Sequence, residues 1–227
     1  YIFYKMNRYG EYGNDAPAHF LVFFLVSEII LYKDKIKISE FLNQLALSLF
    51  IIQNKPTLII AILLNIVNIK KINLKKLLFE KKFFFLTFFF FIWTLKNIFL
   101  SGCIIYPLKH TCFKNLSWTD MNEIEIVSKA SEAWSKGISN LSVEDKKKFS
   151  NEDDYLKNFS WVATWSNVHL KHILNLQIPY ISFSLLILFI IKFRSKNKNI
   201  KIDKFYYNLI IILFICSFAW FIKAPLY

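Results

Sequence analysis

Glycine is scarce in this sequence of 227 residues, and the motifs that depend on it are absent. Only four glycines occur, and they form no glycine-rich loop of the kind that holds phosphate groups. The helical histidine pair of zinc proteases and the serine elbow of α/β-hydrolases are missing as well. The sequence therefore carries none of these local signatures of enzyme classes.

Arginine is equally scarce, and lysine carries almost all of the positive charge. The two arginines are Arg8 and Arg194, and the net charge is +13. Between Gly102 and Asn175 nine lysines balance nine acidic residues, which leaves twenty basic and seven acidic residues elsewhere, mostly in short connectors between apolar runs. Because the excess charge is confined to connectors, we interpret it as a signal of membrane topology and expect no nucleic acid partner.

Apolar residues dominate the rest of the chain. Hydrophobic residues make up 55% of it, and 25 residues are phenylalanine, which is more apolar mass than a soluble domain of this size buries. The apolar runs lack the alternation of strands, and the last three are long enough to cross a bilayer. The first three are shorter and contain polar residues, so each is a short span, a re-entrant hairpin or a helix packed inside the bundle. We therefore predict an all-α fold, a polytopic membrane bundle of about six helices, from runs near 18–32, 41–53, 57–69, 83–101, 177–193 and 206–222.

The lysine-rich connectors predict the topology. Basic connectors stay on the cytoplasmic side of the inner membrane, and three such connectors occur, near 33–37, 70–82 and 194–204. If all six runs cross the membrane, these connectors share one side. The sequence then divides into an outer loop with four membrane helices, a periplasmic, mostly helical or irregular domain, and two further helices, over residues 1–101, 102–175 and 176–227. Because the chain opens at Tyr1 and stops just past an apolar run, we expect a fragment of a longer protein.

Two cysteines flank a short loop at the start of the domain 102–175. Cys103 and Cys112 either form a disulfide, which an oxidising compartment allows, or remain free thiols with one packed at the membrane edge. Zinc is not expected, because His110 is the only nearby nitrogen ligand.

The segment before the first apolar run carries the strongest functional pattern. Asn14, Asp15 and His19 surround the predicted start of a helix, just after the flexible residues Gly10 and Gly13. One interpretation is structural: Asn14 or Asp15 caps the helix. The other is chemical: Asp15 and His19 act at the membrane surface as a base or a metal ligand, with Asn14 binding substrate.

Polar residues inside an apolar run form a second candidate group. Lys96 and Asn97 lie about one helical turn before the outer end of the run 83–101. Lys96 either extends along the helix to the interface or points into the bundle toward an anionic group such as a lipid phosphate. In the second case Lys96 and Asn97 bind substrate.

Tryptophans with polar neighbours form a third group, in the domain 102–175. Trp134 and Lys136 lie in one segment, and Trp161, Trp165 and His169 follow at a four-residue spacing that places them on one helical face. Such aromatic surfaces suit sugar binding. The alternative is a belt of tryptophan and histidine at the membrane interface, without chemistry.

Five segments resemble a family of uncharacterised bacterial polytopic membrane proteins that is similar to the glycosyltransferase-C class. They are Gly-Asn-Asp-Ala-Pro-Ala-His at 13–19, Trp-Thr-Leu-Lys-Asn at 93–97, Ser-Gly-Cys-Ile-Ile-Tyr-Pro at 101–107, Thr-Cys-Phe at 111–113 and Glu-Ala-Trp-Ser-Lys-Gly at 132–137. The resemblance implies transfer of a sugar from a polyprenyl-phosphate donor to a glycan or lipid acceptor outside the membrane.

The same resemblance assigns roles to residues. Asp15 matches the acidic residue of the first outer loop and would serve as the base or help to bind a divalent metal, Lys96 would hold the donor phosphate, and the tryptophan-rich domain would position the acceptor. The motif contains only one acidic residue and no metal-binding aspartate pair follows, so metal dependence stays open.

Two other classes of function compete with glycosyl transfer. An envelope polysaccharide polymerase or ligase would share the lipid-linked substrate, but such enzymes usually depend on arginine and histidine in outer loops, and arginine is scarce here. A transporter or scaffold without chemistry would need a water-lined path and no role for Asp15.

Overall fold

The computed structural model describes residues 15–170 and 203–223, together with residues 174, 175, 178, 179, 182, 183, 185–187, 189 and 190. Regular structure in these residues is helical, and the one β-type pairing among them is an isolated bridge between Cys103 and Cys112. The predicted all-α class is confirmed. The described residues form two compact units, one within 15–128 and 204–223 and one within 129–203. The sequence places the borders between the membrane segments and a periplasmic domain at 101/102 and 175/176. These borders stay predictions.

Within residues 15–170 the helices follow one another with short connectors, and one further helix is described within residues 203–223. In chain order they are α1 (Asp15–Leu31), α2 (Ile38–Asn54), a 3-10 helix (Pro56–Asn65) that continues into α3 (Ile66–Ile69), α4 (Leu74–Leu78), α5 (Lys81–Ser101), a 3-10 turn (Lys109–Thr111), α6 (Met121–Ser135), a 3-10 turn (Ile138–Asn140), α7 (Val143–Lys146), α8 (Glu152–Leu156), a 3-10 turn (Lys157–Phe159), α9 (Trp161–Trp165), a π-helical turn (Ser166–Leu170) and α10 (Lys204–Lys223).

The core of the first unit joins the helices at the two ends of the described chain. α1, α2, the 3-10 helix and α10 bury one apolar cluster together. Small residues at Ala18 and Ala61 are buried in it, which leaves room for neighbouring helices to approach closely. On α10, Phe205 and Leu209 complete the cluster. The mid-helix thiol of Cys216 donates to the carbonyl of Ile60 at 3.5 Å, so this cysteine packs against the 3-10 helix.

Polar side chains inside this unit form hydrogen bonds with each other and with backbone carbonyls. Ser48 Oγ donates to the carbonyl of Gln44 at 2.9 Å, and Asn65 Nδ2 donates to Ser48 Oγ at 2.7 Å. The amide of Gln44 also donates to the carbonyl of Glu28 at 3.2 Å. Buried polar groups are tolerated when they find such partners. Gln44, Ser48 and Asn65 therefore tie α1, α2 and the 3-10 helix together.

The number of membrane spans differs from the expected six. Two helices in the described residues are long and apolar enough to cross a membrane, α5 with 21 residues and α10 with 20. α1 and α2 have 17 residues each, or about 25 Å at 1.5 Å per residue, which is short of the ~30 Å of hydrocarbon in a bilayer. The first three runs thus form a packed group of shorter helices. The run expected at 177–193 lies mostly outside the described residues.

The surface of α5 is mostly apolar between its lysine-bearing start and the polar residues of its last two turns. None of its 21 residues is buried, and Phe84, Phe85 and Phe89 each expose more than 60% of their area. An apolar surface of this size is unfavourable in water and is typical of a helix that contacts lipid or another protein.

The first two lysine-rich connectors and the start of α10 meet at one end of the first unit. Lys71 Nζ donates to the backbone carbonyl of Lys33, which links the first connector to the second. The ammonium groups of Lys33 and Lys71 also lie over the rings of Tyr206 and Phe205, at 4.6 and 4.9 Å from the ring centroids. These two aromatic residues begin α10, directly after the third connector. We call this end of the unit the lysine end.

Candidate functional site

The loop after α5 is folded tightly against the end of that helix. Gly102 ends α5 with φ +72°, a left-handed conformation that favours glycine. A Cβ at this position would lie 1.8 Å from Thr119 Oγ1, so any side chain would displace the returning segment. Asn97 Nδ2 donates to the carbonyl of Ile104 at 3.0 Å and fixes the start of the loop to the last turn of the helix.

The loop is closed by a disulfide between Cys103 and Cys112, whose Cα atoms are 3.9 Å apart. This agrees with the disulfide interpretation of the two cysteines rather than with free thiols. Backbone hydrogen bonds flank the disulfide on both sides. The amide of Ile104 donates to the carbonyl of Thr111, and the amide of Phe113 donates to the carbonyl of Gly102. The segment that follows is thereby held at the end of α5.

A cleft of about 420 Å³ opens in this following segment. The indole Nε1 of Trp118 donates to the carbonyl of Ile98 at 3.1 Å, which fixes the ring to α5 while half of it stays exposed. Asp120 caps α6 by accepting from the amides of Asn122 and Glu123 at 2.9 and 3.1 Å. We call this cleft, lined by residues 117–122, the Trp118 cleft. It combines an exposed aromatic ring with hydroxyl, carboxylate and amide groups.

Sequence reasoning did not single out the Trp118 cleft, although one signal for it was present. Asp120 followed by Glu123 is the spacing of a helix cap, and it predicts the start of α6. Nothing in the sequence shows that the segment before this cap returns to the end of α5, because that contact depends on the space left by Gly102.

The predicted residues at the start of α1 are placed only in part. Asn14 lies outside the described residues. Asp15 is the first residue of α1, and its side chain lies outside the description. The partly buried His19 follows one turn later on the same helix. The proposed roles of Asp15 and His19 stay predictions.

Lys96 and Asn97 differ in their surroundings. Lys96 is exposed on the surface of α5 and does not line the Trp118 cleft, which fits a lysine that extends along the helix toward the interface. Asn97 holds the disulfide loop through its amide. The structure therefore gives Asn97 a positioning role at the end of α5, one that sequence reasoning did not assign to it.

In the second unit the predicted residues Lys136, Trp161 and Trp165 belong to the core. Trp161 and Trp165 expose 1% and 8% of their area and share one face of α9, as their spacing predicts. Trp134 is 46% exposed, so among the described members of this group it is the one open to a ligand. The side chain of His169 lies outside the description.

Lys136 is the most unusual of these core residues because its charge is buried. Its ammonium forms an ion pair of 2.6 Å with Glu132 and lies 4.9 Å from the ring centroid of Trp161. Tyr155 donates from its hydroxyl to the backbone carbonyl of Lys136 at 2.9 Å. Burial raises the pKa of the Tyr155 phenol, and a hydrogen bond with Thr164 opposes that rise. The cluster holds the Lys136 side chain in place inside the unit.

The described residues contain no group of three or more His, Cys, Asp or Glu side chains placed to hold a metal ion. A divalent metal therefore has no site assigned to it in this part of the chain, and the predicted involvement of Asp15 in metal binding stays a prediction.

A family model matches residues 3–227, nearly the whole chain, and is described as "Domain of unknown function (DUF8201)". The chain belongs to this family. No curated protein and no solved structure matches it. The arguments for function therefore rest on the residues and the geometry of this chain.

Proposed function

We propose that this chain is part of an integral membrane glycosyltransferase-like protein, which transfers a sugar from a polyprenyl-phosphate donor at the outer face of the inner membrane. The observation that carries the proposal is the Trp118 cleft, a shallow aromatic and polar surface held at the end of α5. An exposed indole beside carboxylate, amide and hydroxyl groups provides both the apolar face and the hydrogen bonds that a sugar ring uses.

Opposite ends of α5 support the orientation. The helix begins with Lys81 and Lys82, directly after a lysine-rich connector, and ends two residues before the disulfide of Cys103. Lysine-rich connectors stay in the cytosol and disulfides persist in oxidising compartments. The two rules act on different residues and agree on one direction. α5 and α10 then cross the membrane, and the shorter helices complete the bundle.

The same orientation gives Asp15 its position. α1 ends at Leu31, close to the lysine end, so its first residue belongs to the opposite end of the helix, about 25 Å away. Asp15 would then act at the outer surface as the base that activates the acceptor, or as a metal ligand. Lys96, exposed one turn before the end of α5, would extend along the helix to the outer interface and hold the donor phosphate there.

The test compares transfer from polyprenyl-phosphate sugars by the full-length protein in liposomes. Removing a general base costs about 100-fold or more in turnover, so we expect Asp15→Asn to lose at least that factor. Asp34→Asn is the matched control, since it removes the same charge from an exposed residue of the first connector. Equal turnover in the wild type and Asp15→Asn would remove Asp15 from the mechanism.

A second measurement tests the cleft and separates transfer from binding. Trp118→Ala should raise the KM for the acceptor about tenfold, because stacking on an indole contributes on the order of 1 kcal/mol or more, while Trp118→Phe should keep most of the affinity. If the wild type binds lipid-linked sugar but transfers none, the protein is a transporter or scaffold. If neither binding nor transfer occurs, the sugar proposal fails.

A further inference from the structure

A second cleft, of about 860 Å³, opens at the lysine end between the start of α2 and the segment that joins α4 to α5. Five lysines contribute to its walls, together with one carboxylate, that of Glu80. The lysines are Lys37, Lys75, Lys76, Lys81 and Lys82. We call this cavity the lysine cleft. It lies in the first unit and shares no residue with the Trp118 cleft.

The lysine cleft concentrates unneutralised positive charge. All five lysines are exposed, and none of them forms a salt bridge with another residue in the described part of the chain. Five ammonium groups around one cavity repel one another, and a single carboxylate leaves the lining strongly positive. A ligand with one or more phosphate groups would complement this charge.

The walls are held in place by apolar packing behind the lysines. Phe41, Leu42, Ile72 and Leu77 form a small buried cluster that joins the start of α2 to α4, and Phe83 of α5 packs against it. Asn73 caps α4 by accepting from the amide of Lys76 at 3.2 Å. The lysines therefore project from fixed backbone, which lowers the entropy that a bound ligand has to remove.

Apolar surface beside the charge indicates a lipid rather than a soluble phosphate. Phe79, which lines the cleft between Lys76 and Lys81, is 89% exposed, and Leu74 and Leu78 of α4 are more than half exposed. A free phosphate or nucleotide would leave these side chains in water. A molecule with an anionic head and acyl chains would cover them while its phosphate meets the lysines.

We propose that the lysine cleft binds the head group of an anionic phospholipid, with its acyl chains along Phe79 and α4. Lysine-rich cavities between membrane helices on the cytoplasmic side have this chemistry. The site does not depend on glycosyl transfer: it would hold the lysine end at the inner leaflet whether or not the Trp118 cleft binds a sugar.

The experiment measures lipids retained by the full chain. The protein is reconstituted in nanodiscs of phosphatidylcholine with graded phosphatidylglycerol or cardiolipin, and retained lipids are counted by native mass spectrometry. We expect selective retention of the anionic lipid and an about 30-fold weaker apparent affinity in Lys75→Gln/Lys76→Gln, since each lysine near an anionic surface contributes roughly fivefold. Lys75→Arg/Lys76→Arg keeps the charge and should keep the lipid.

The matched control is Lys146→Gln/Lys147→Gln, which removes the same charge from exposed lysines of the second unit. Equal weakening in this control would show general attraction between charges and would overturn the proposal. Glycerol phosphate added at millimolar concentration separates the two possible sources of phosphate. Displacement of the lipid by this soluble head group alone would also overturn the proposal, since the acyl chains would then contribute nothing.

Discussion

The buried ion pair between Glu132 and Lys136 provides the sharpest test of the second unit. Truncating Glu132 to alanine removes the carboxylate 2.6 Å from the Lys136 ammonium. Alanine is the best helix former, so the helical conformation of α6 is not weakened by the substitution itself. The Lys136 side chain that remains is positively charged and 6% exposed. It still lies beside the ring of Trp161.

The size of the effect follows from burial. Removing one partner of a fully buried ion pair costs about 3–5 kcal/mol. The side chain of Glu132 is 29% exposed, so water already screens part of the attraction, and the ring of Trp161 offsets part of the loss. We therefore expect Glu132→Ala to lower the free energy of unfolding of this unit by about 3 kcal/mol. For a unit of this size that lowers the thermal midpoint by more than about 10 °C.

The assay is urea unfolding of the full chain in detergent micelles, followed by the tryptophan emission that shifts when Trp161 and Trp165 reach water. The double variant Glu132→Ala/Lys136→Met replaces the pair with an apolar side chain of similar length. It should recover most of the lost stability, because no charge remains buried. If the double variant loses the sum of the two single effects, the residues are not coupled and the reasoning is wrong.

Two further predictions concern other hydrogen bonds. Ser48→Ala removes the hydroxyl that accepts a 2.7 Å hydrogen bond from the Asn65 amide, and thermal unfolding should show a loss of about 1 kcal/mol in the stability of the first unit. The control Ser39→Ala changes an exposed serine and should cause no such loss. Equal thermal midpoints in the two variants would contradict this. Hydrogen bonds from Lys148 and Ser142 hold the pKa of Asp145 below its usual 3.8. The ionised Asp145 therefore stabilises the folded chain fully above pH 3.8, its pKa in the unfolded chain. This stabilisation is lost as the pH falls through the lower pKa of the folded chain. Asp145→Asn should lack this acid-dependent component between pH 5 and pH 2.5, and parallel curves for variant and wild type would refute it.

The long apolar runs could be located from the sequence because their limits are chemically sharp. The runs predicted at 83–101 and 206–222 correspond to α5 and α10 within two residues at each end, since lysines and a glycine bound them. The lysine clusters also predict that the connectors share one side of the membrane, and this topology stays a prediction. In the structure the first two connectors meet through Lys33 and Lys71.

The shorter runs show where sequence reasoning stops. Apolar residues in a 17-residue helix pack equally well against lipid and against neighbouring helices, and the pattern does not distinguish the two. In the structure the side chains of Gln44, Ser48 and Asn65 form hydrogen bonds between helices, so at these positions the runs pack against neighbouring helices. Similarly, the spacing of Trp161 and Trp165 predicts that they share one helical face. It does not predict that this face is buried, because burial depends on packing around Lys136.

The contacts at the lysine end set the order in which the first unit is assembled. Lys33 lies over the ring of Tyr206 and Lys71 over that of Phe205, and both rings are synthesised more than a hundred residues later. At 5–20 residues per second, a ribosome supplies those rings roughly 7 to 35 seconds after the lysines. These contacts therefore form only after the start of α10 has been synthesised, and docking of α10 completes the core of the first unit.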